Sequence, residues 1–126
     1  MTRKVLIVDD SKLARMAVLK VLKGLHPDWT TVEAGDANRA LTSVAQESPD
    51  FVLLDYNMPG KDGLTLVAEL RQLHPALGIA VISANHQLEV IDRTHASGAT
   101  FIRKPLTEEA LAAFLNGAAG QGKAAQ

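Results

Sequence analysis

Five polar side chains, each placed just after a short apolar run, could do chemistry together. Asp9 and Asp10 follow Val5–Val8, Asp55 closes the run that starts at Phe51, Ser83 follows Ile79–Ile82, and Lys104 comes soon after Ala99–Ile102. Three carboxylates within reach of one another repel and raise each other's pKa unless a cation joins them. Oxygen donors of this kind suit a hard ion such as Mg2+, which takes one or two carboxylates and keeps waters and a phosphate oxygen. Lys104 is a mobile point charge suited to a phosphoryl oxygen, and the Ser83 hydroxyl could donate a further hydrogen bond. Acid, metal, lysine and hydroxyl together describe a site for a phosphoryl group. A carboxylate can itself be the nucleophile and form an aspartyl phosphate. Asp55 is the best candidate, standing alone at its strand end before the turn-rich segment Asn57-Met-Pro-Gly-Lys-Asp-Gly63.

Each residue also has a plainer reading. Paired aspartates after a strand often cap the next helix, a Lys-Pro pair is usually a solvated turn, and a serine after an apolar run is usually a satisfied turn hydroxyl. Their joint placement at successive strand ends favours the functional reading.

The elements that must position these groups follow from the apolar pattern. Continuous runs such as Val5–Val8 and Phe51–Leu54 read as strands buried on both faces of a parallel sheet. Trp29–Ala34 is a short, β-rich stretch. Between the runs, Ala14, Val18, Val21, Leu22 and Leu25 recur at helical spacing, with Lys12, Arg15, Lys20 and Lys23 mostly outside that stripe. Ser11, Asp36 and Thr107 stand where they can cap helices, and the pairs His26-Pro27 and His74-Pro75 stop them. A weaker helix holds Leu88, Ile91 and His95, and Leu111, Phe114 and Leu115 give the last helix its buried face. Five strand–helix units in alternation predict an α/β fold, a parallel sheet covered on both faces by right-handed crossovers. All five strand ends deliver their loops to one edge, where α/β sheets gather functional groups. The predicted domain covers residues 1–118, and the Gly-, Ala- and Gln-rich residues 119–126 read as a flexible tail.

Composition narrows the classes. The 126 residues carry a formal net charge of −1, which gives the whole molecule no electrostatic reason to bind nucleic acid or anionic lipid. The absence of cysteine excludes disulfides and thiol chemistry. No stretch approaches the roughly 20 apolar residues of a spanning helix, so a cytoplasmic location is expected. Gly117–Lys123 matches a phosphate loop only as far as its lysine, because Ala124 stands where Ser or Thr is required.

The motifs Val8-Asp9-Asp10-Ser11, Leu54-Asp55-Tyr56-Asn57-Met58-Pro59-Gly60, Asp62-Gly63, Ile82-Ser83-Ala84 and Phe101-Ile-Arg-Lys104-Pro105 closely resemble the receiver domain of two-component response regulators, especially the stand-alone chemotaxis type. The resemblance covers residues 4 to about 118. It implies a flavodoxin-like sheet in the order 2-1-3-4-5 flanked by five helices. It implies that Asp55 accepts a phosphoryl group from a histidine kinase or histidine phosphotransfer protein. Asp10, Asp55 and the backbone carbonyl of Asn57 would bind Mg2+, with Asp9 supporting through water. Lys104 would contact the phosphoryl group, Ser83 would swing toward it and Phe101 would turn inward. Lys104-Pro105 is expected to be cis, and Asn57 and Asn85 to tune the lifetime of the phosphate. Such a domain catalyses only its own phosphorylation and dephosphorylation and signals by contact with an output protein, with dimerisation on activation left open. The face bearing Leu88, Val90, Ile91 and His95 is the expected partner surface. Rival readings are a receiver cut from a longer regulator, an Mg2+-dependent aspartyl-phosphate phosphatase, and a binding module independent of phosphorylation. The phosphatase would want an aspartate two residues beyond the nucleophile, where this chain has Asn57.

Overall fold

The computed structural model describes residues 3–58, 62–84 and 87–124, the last seven by their backbone alone. The apolar runs form strands β1 (Lys4–Val8), β2 (Thr30–Ala34), β3 (Phe51–Asp55), β4 (Gly78–Ser83) and β5 (Thr100–Arg103). They alternate with helices α1 (Lys12–Leu25), α2 (Ala37–Glu47), α3 (Gly63–Leu73), α4 (Leu88–Ala96) and α5 (Glu108–Ala124). All pairings are parallel and the order is β2-β1-β3-β4-β5, as expected. The strands with the longest apolar runs are the central three, because only a strand covered on both faces must be apolar at successive positions.

Side-chain alternation along those strands divides the core in two. Leu6, Val8, Val52, Leu54, Ile79 and Val81 face α2 and α3, meeting Ala40, Val44, Leu66, Val67 and Leu70. Val5, Ile7, Leu53, Ala80, Ile82 and Ile102 face α1 and α5, meeting Leu22, Leu111, Phe114 and Leu115. At the start of β3, Trp29 stacks between His26, at 3.8 Å, and Phe51, at 5.9 Å, and Phe51 meets Phe114 edge-on at 5.7 Å. The chain reverses its direction of travel across the sheet between β1 and β3, so the crevice expected for a ligand lies beyond the carboxyl ends of these two strands.

The caps read from sequence are present: Ser11 accepts from the Ala14 N–H, Asp36 from Arg39 and Thr107 from Ala110. Asp62, not read as a cap, accepts from the Thr65 N–H and starts α3. Three differences from the sequence pattern stand out. Helix α5 continues to Ala124, past the boundary at 118, since the alanines of this stretch are strong helix formers that offset its glycines. Val90 is buried, so the expected partner face of α4 is reduced to exposed Leu88 and His95 and half-buried Ile91. Of the α1 stripe only Leu22 is fully buried, whereas Ala14, Val18 and Val21 line a cavity of about 460 Å³ between α1, the sheet and Leu106.

Arg71 ties together the end of the sheet opposite the crevice. Its guanidinium donates to the carbonyls of Pro75 (2.9 Å), Leu77 (2.6 Å) and Gly98 (2.7 Å). Gly98 holds φ +80°, a conformation that favours glycine, where the chain leaves α4 for β5. Arg71→Met should destabilise the fold by about 2 kcal/mol, since bonds from a charged donor contribute about 1.5–3 kcal/mol each and water recovers part of the loss. Urea unfolding should show a lower midpoint at unchanged slope; an unchanged midpoint would remove Arg71 from the fold's support.

Candidate functional site

Register decides which side chains meet. Val8 pairs with Leu54 across β1 and β3, so the next residues, Asp9 and Asp55, emerge side by side at the crevice. Asp55 is the last residue of β3 and only 8% exposed, while Asp9 is 6% exposed and Asp10 is open to solvent. One carboxylate oxygen from each of the three lies within 4.8 Å of the others. Asp9 is fixed at several points: its N–H donates to the Ala34 carbonyl at 3.1 Å, and its side chain accepts the Ser11 N–H at 2.9 Å.

The other side of the crevice comes from β4 and β5. Ser83, fully buried, ends β4 beside Arg103, and its carbonyl accepts the Lys104 N–H at 2.9 Å. The Lys104–Pro105 peptide is cis. The Lys104 ammonium lies 3.1 Å from Asp55 Oδ1 and is more than a third exposed, so it can move between solvent and the carboxylate. Asp9, Asp55, Lys104 and Pro105 also border the cavity beneath α1.

Close packing at the end of β3 depends on Gly63. Its N–H donates to the Tyr56 carbonyl at 2.7 Å, and a Cβ there would stand 2.9 Å from the Asp55 carbonyl oxygen, Leu54 Cδ1 and Tyr56 Cα. Two of these are backbone atoms with no room to give, so the helix start can seat against the Asp55 strand only with glycine at this position.

Three carboxylates and one ammonium leave the crevice with excess negative charge. Burial pushes the Asp9 carboxyl above its ordinary range, with the nearby Asp55 and Asp10 adding to the rise and the Ser11 N–H and Lys104 opposing it. The donor set fits Mg2+: all oxygens are hard, and ligands at about 2.1 Å from one ion stand at most about 4.2 Å apart, so a contraction of a few tenths of an ångström or an intervening water would complete the site.

The crevice thus gathers Asp9, Asp10, Asp55 and Lys104, with Ser83 next to Lys104 across the β4–β5 ladder. Asn57 follows β3 in an exposed loop. Phe101 is half-buried on edge strand β5 and lines a separate cleft of about 340 Å³ with Ala110, Ala113 and Phe114 of α5. Pro59, Gly60 and Asn85 lie outside the described residues. Sequence reasoning missed Arg15, read as a solvent-face cation of α1. Its side chain is only 17% exposed and bonds the Asp9 carbonyl and Glu33. A single arginine next to an otherwise apolar stripe carried no signal of that bridge.

A model of the response regulator receiver domain family matches residues 5–116. The chain belongs to that family. It is 34% identical over 108 residues to the DNA-binding transcriptional regulator NtrC of Salmonella typhimurium, spanning 84% of this chain but 23% of that protein. It is 32% identical over 119 residues to chemotaxis protein CheY of Bacillus subtilis, covering 92% of this chain and 97% of that one. The solved structure of Vibrio cholerae chemotaxis protein CheY4 superimposes with a TM-score of 0.83 at 27% identity, over 94% of this chain and 99% of that chain. The receiver is therefore close in length to the chemotaxis proteins and spans about a quarter of the NtrC chain.

The raised Asp9 pKa has a definite consequence for stability. A folded state that binds the proton more tightly than the unfolded state gains from this group in acid, and loses that gain as pH rises through the folded pKa. In chelator, Asp9→Asn should therefore melt above wild type at neutral pH, and its advantage should vanish below the ordinary carboxylate range. Thermal melts across that span check this; an advantage independent of pH would refute the cause.

Proposed function

We propose that this receiver accepts a phosphoryl group on Asp55 from the phosphohistidine of a histidine kinase or phosphotransfer protein, and signals through contact with an output protein. The observation that carries the reading is the Lys104 ammonium 3.1 Å from Asp55 Oδ1, in a crevice shared with Asp9 and Asp10. In this reading an Asp55 oxygen forms the new P–O bond while the P–N bond to the donor imidazole breaks, and the imidazole leaves with the electron pair. Asp10, Asp55 and the Asn57 carbonyl hold Mg2+, with Asp9 acting through water. The ion, when bound, offsets the negative charge that builds on the transferring oxygens. Lys104 moves from the carboxylate to a phosphoryl oxygen, and burial of Asp55 keeps bulk water from the acyl phosphate. Ser83 then bonds the phosphoryl group, Phe101 turns into the cleft beside α5, and Asn57 and Asn85 set how fast water removes the phosphate. The domain catalyses nothing beyond these two steps on itself.

Magnitudes constrain the switch. Moving a population from 1:99 to 99:1 needs roughly 5.5 kcal/mol of differential stabilisation. One new hydroxyl bond from Ser83 contributes about 1 kcal/mol. The charge-assisted bonds of the phosphoryl group therefore carry most of the change, or a bound partner completes it.

The net charge of −1 and the absence, among the described residues, of a helix long and apolar enough to cross a membrane support a cytoplasmic protein whose partners are proteins, without direct contact to nucleic acid. The short span of the NtrC match favours a second reading of the same chemistry, in which this domain controls an effector on a longer regulator.

Incubation with a small acyl phosphate, followed by intact mass, tests the proposal. Wild type should gain one labile phosphoryl group only with Mg2+ present, and Asp55→Asn should gain none. No gain in a wild-type protein that binds Mg2+ would make it a receiver-like binding module.

A further inference from the structure

We infer that Arg15 is a positioning residue for the acidic crevice, setting the placement of Asp10 by holding the peptide that carries it. The inference rests on the Mg2+ reading of the site. Arg15 Nη1 donates to the Asp9 carbonyl at 2.6 Å, and its Nε donates to Glu33 Oε1 at 2.9 Å, on edge strand β2. The Asp9 carbonyl belongs to the peptide joining Asp9 to Asp10. Rotation of that peptide plane moves Asp10, the one exposed carboxylate of the three and the one most free to swing away from its neighbours.

Packing does little to hold this end of α1. Ala14, Ala17 and Val18 border the cavity, and the first fully buried side chain of the helix is Leu22. The Arg15 side chain, which holds the Asp9 carbonyl with one nitrogen and Glu33 of β2 with another, supplies the tie that the missing contacts do not. Glu33 completes the device. It orients the planar guanidinium and offsets its charge, so that a cation so near the crevice does not oppose the entry of another.

The charge and the bridge predict opposite signs, which makes the inference testable. Mg2+ affinity of the full chain is measured by calorimetry for wild type, Arg15→Met, Arg15→Lys, Glu33→Ala and the Arg15→Met/Glu33→Ala double variant. Loss of a group that orients a ligand weakens metal binding about 10–100-fold, and the lower end applies to a bond made to the backbone. Arg15→Met should therefore bind about tenfold more weakly. Arg15→Lys, which keeps the charge but has no fork to reach both partners, should remain closer to Met than to wild type. Glu33→Ala should fall between, and the double variant should match Arg15→Met, because Glu33 acts only through Arg15. Excess Mg2+ should restore the rate of Asp55 phosphorylation in every variant. Tighter binding by Arg15→Met with a wild-type-like Arg15→Lys would show a pure charge effect and overturn the inference. A lower melting temperature with unchanged affinity would show packing alone and overturn it too. Failure of wild type itself to bind Mg2+ would instead remove the metal reading, and the inference with it.

Discussion

The crevice concentrates negative charge, and that repulsion is what the surrounding structure has to contain. Three carboxylates within 4.8 Å of one another, two of them buried, are unfavourable in a poorly screened environment. They stay together because Asp9 and Asp55 are set by adjacent strand ends whose register is locked by apolar side chains on both faces of the sheet. Lys104 offsets part of the charge at 3.1 Å from Asp55, and the remainder stays on the crevice. The stability that a neutral crevice would add is given up for concentrated charge, a trade common at functional sites.

The fold was legible where one residue type has one physical use. Runs such as Val5–Val8 and Phe51–Leu54 read as strands covered on both sides because they are short, wholly apolar and alternate with helical stretches, and their carboxyl ends named the crevice. Ser11, Asp36 and Thr107 were legible as caps because a short oxygen-bearing side chain before a helical stripe has a local partner. What stayed hidden depends on contacts distant in sequence or on exact space. Arg15 finds Glu33 eighteen positions away, and Arg71 finds Gly98 twenty-seven away. Gly63 looked like one more turn glycine, yet its role is to let a helix approach the Asp55 backbone. Val90 has the polarity of a surface-helix anchor but turns inward. The α1 stripe had the right period, but spacing does not say how closely small residues such as Ala14 and Ala17 let a helix sit.

The sheet carries a division of labour along its strands. At their carboxyl ends polar and charged side chains gather beside the cavity under α1. At their amino ends the molecule is close-packed, with the Arg71 tie and the ring stack at Trp29. Charge at the rim is thus set apart from the contacts that fix the strand register at the base.

That arrangement also determines what the molecule emits. Trp29 is its only tryptophan, sandwiched between His26 and Phe51 at the base of β3. Asp55 lies four residues beyond Phe51 on β3, about 13 Å at the usual rise per residue. Ultraviolet fluorescence from this indole therefore gauges first whether the base is intact, and Tyr56, the residue after Asp55, is the fluorescent ring that stands beside the crevice.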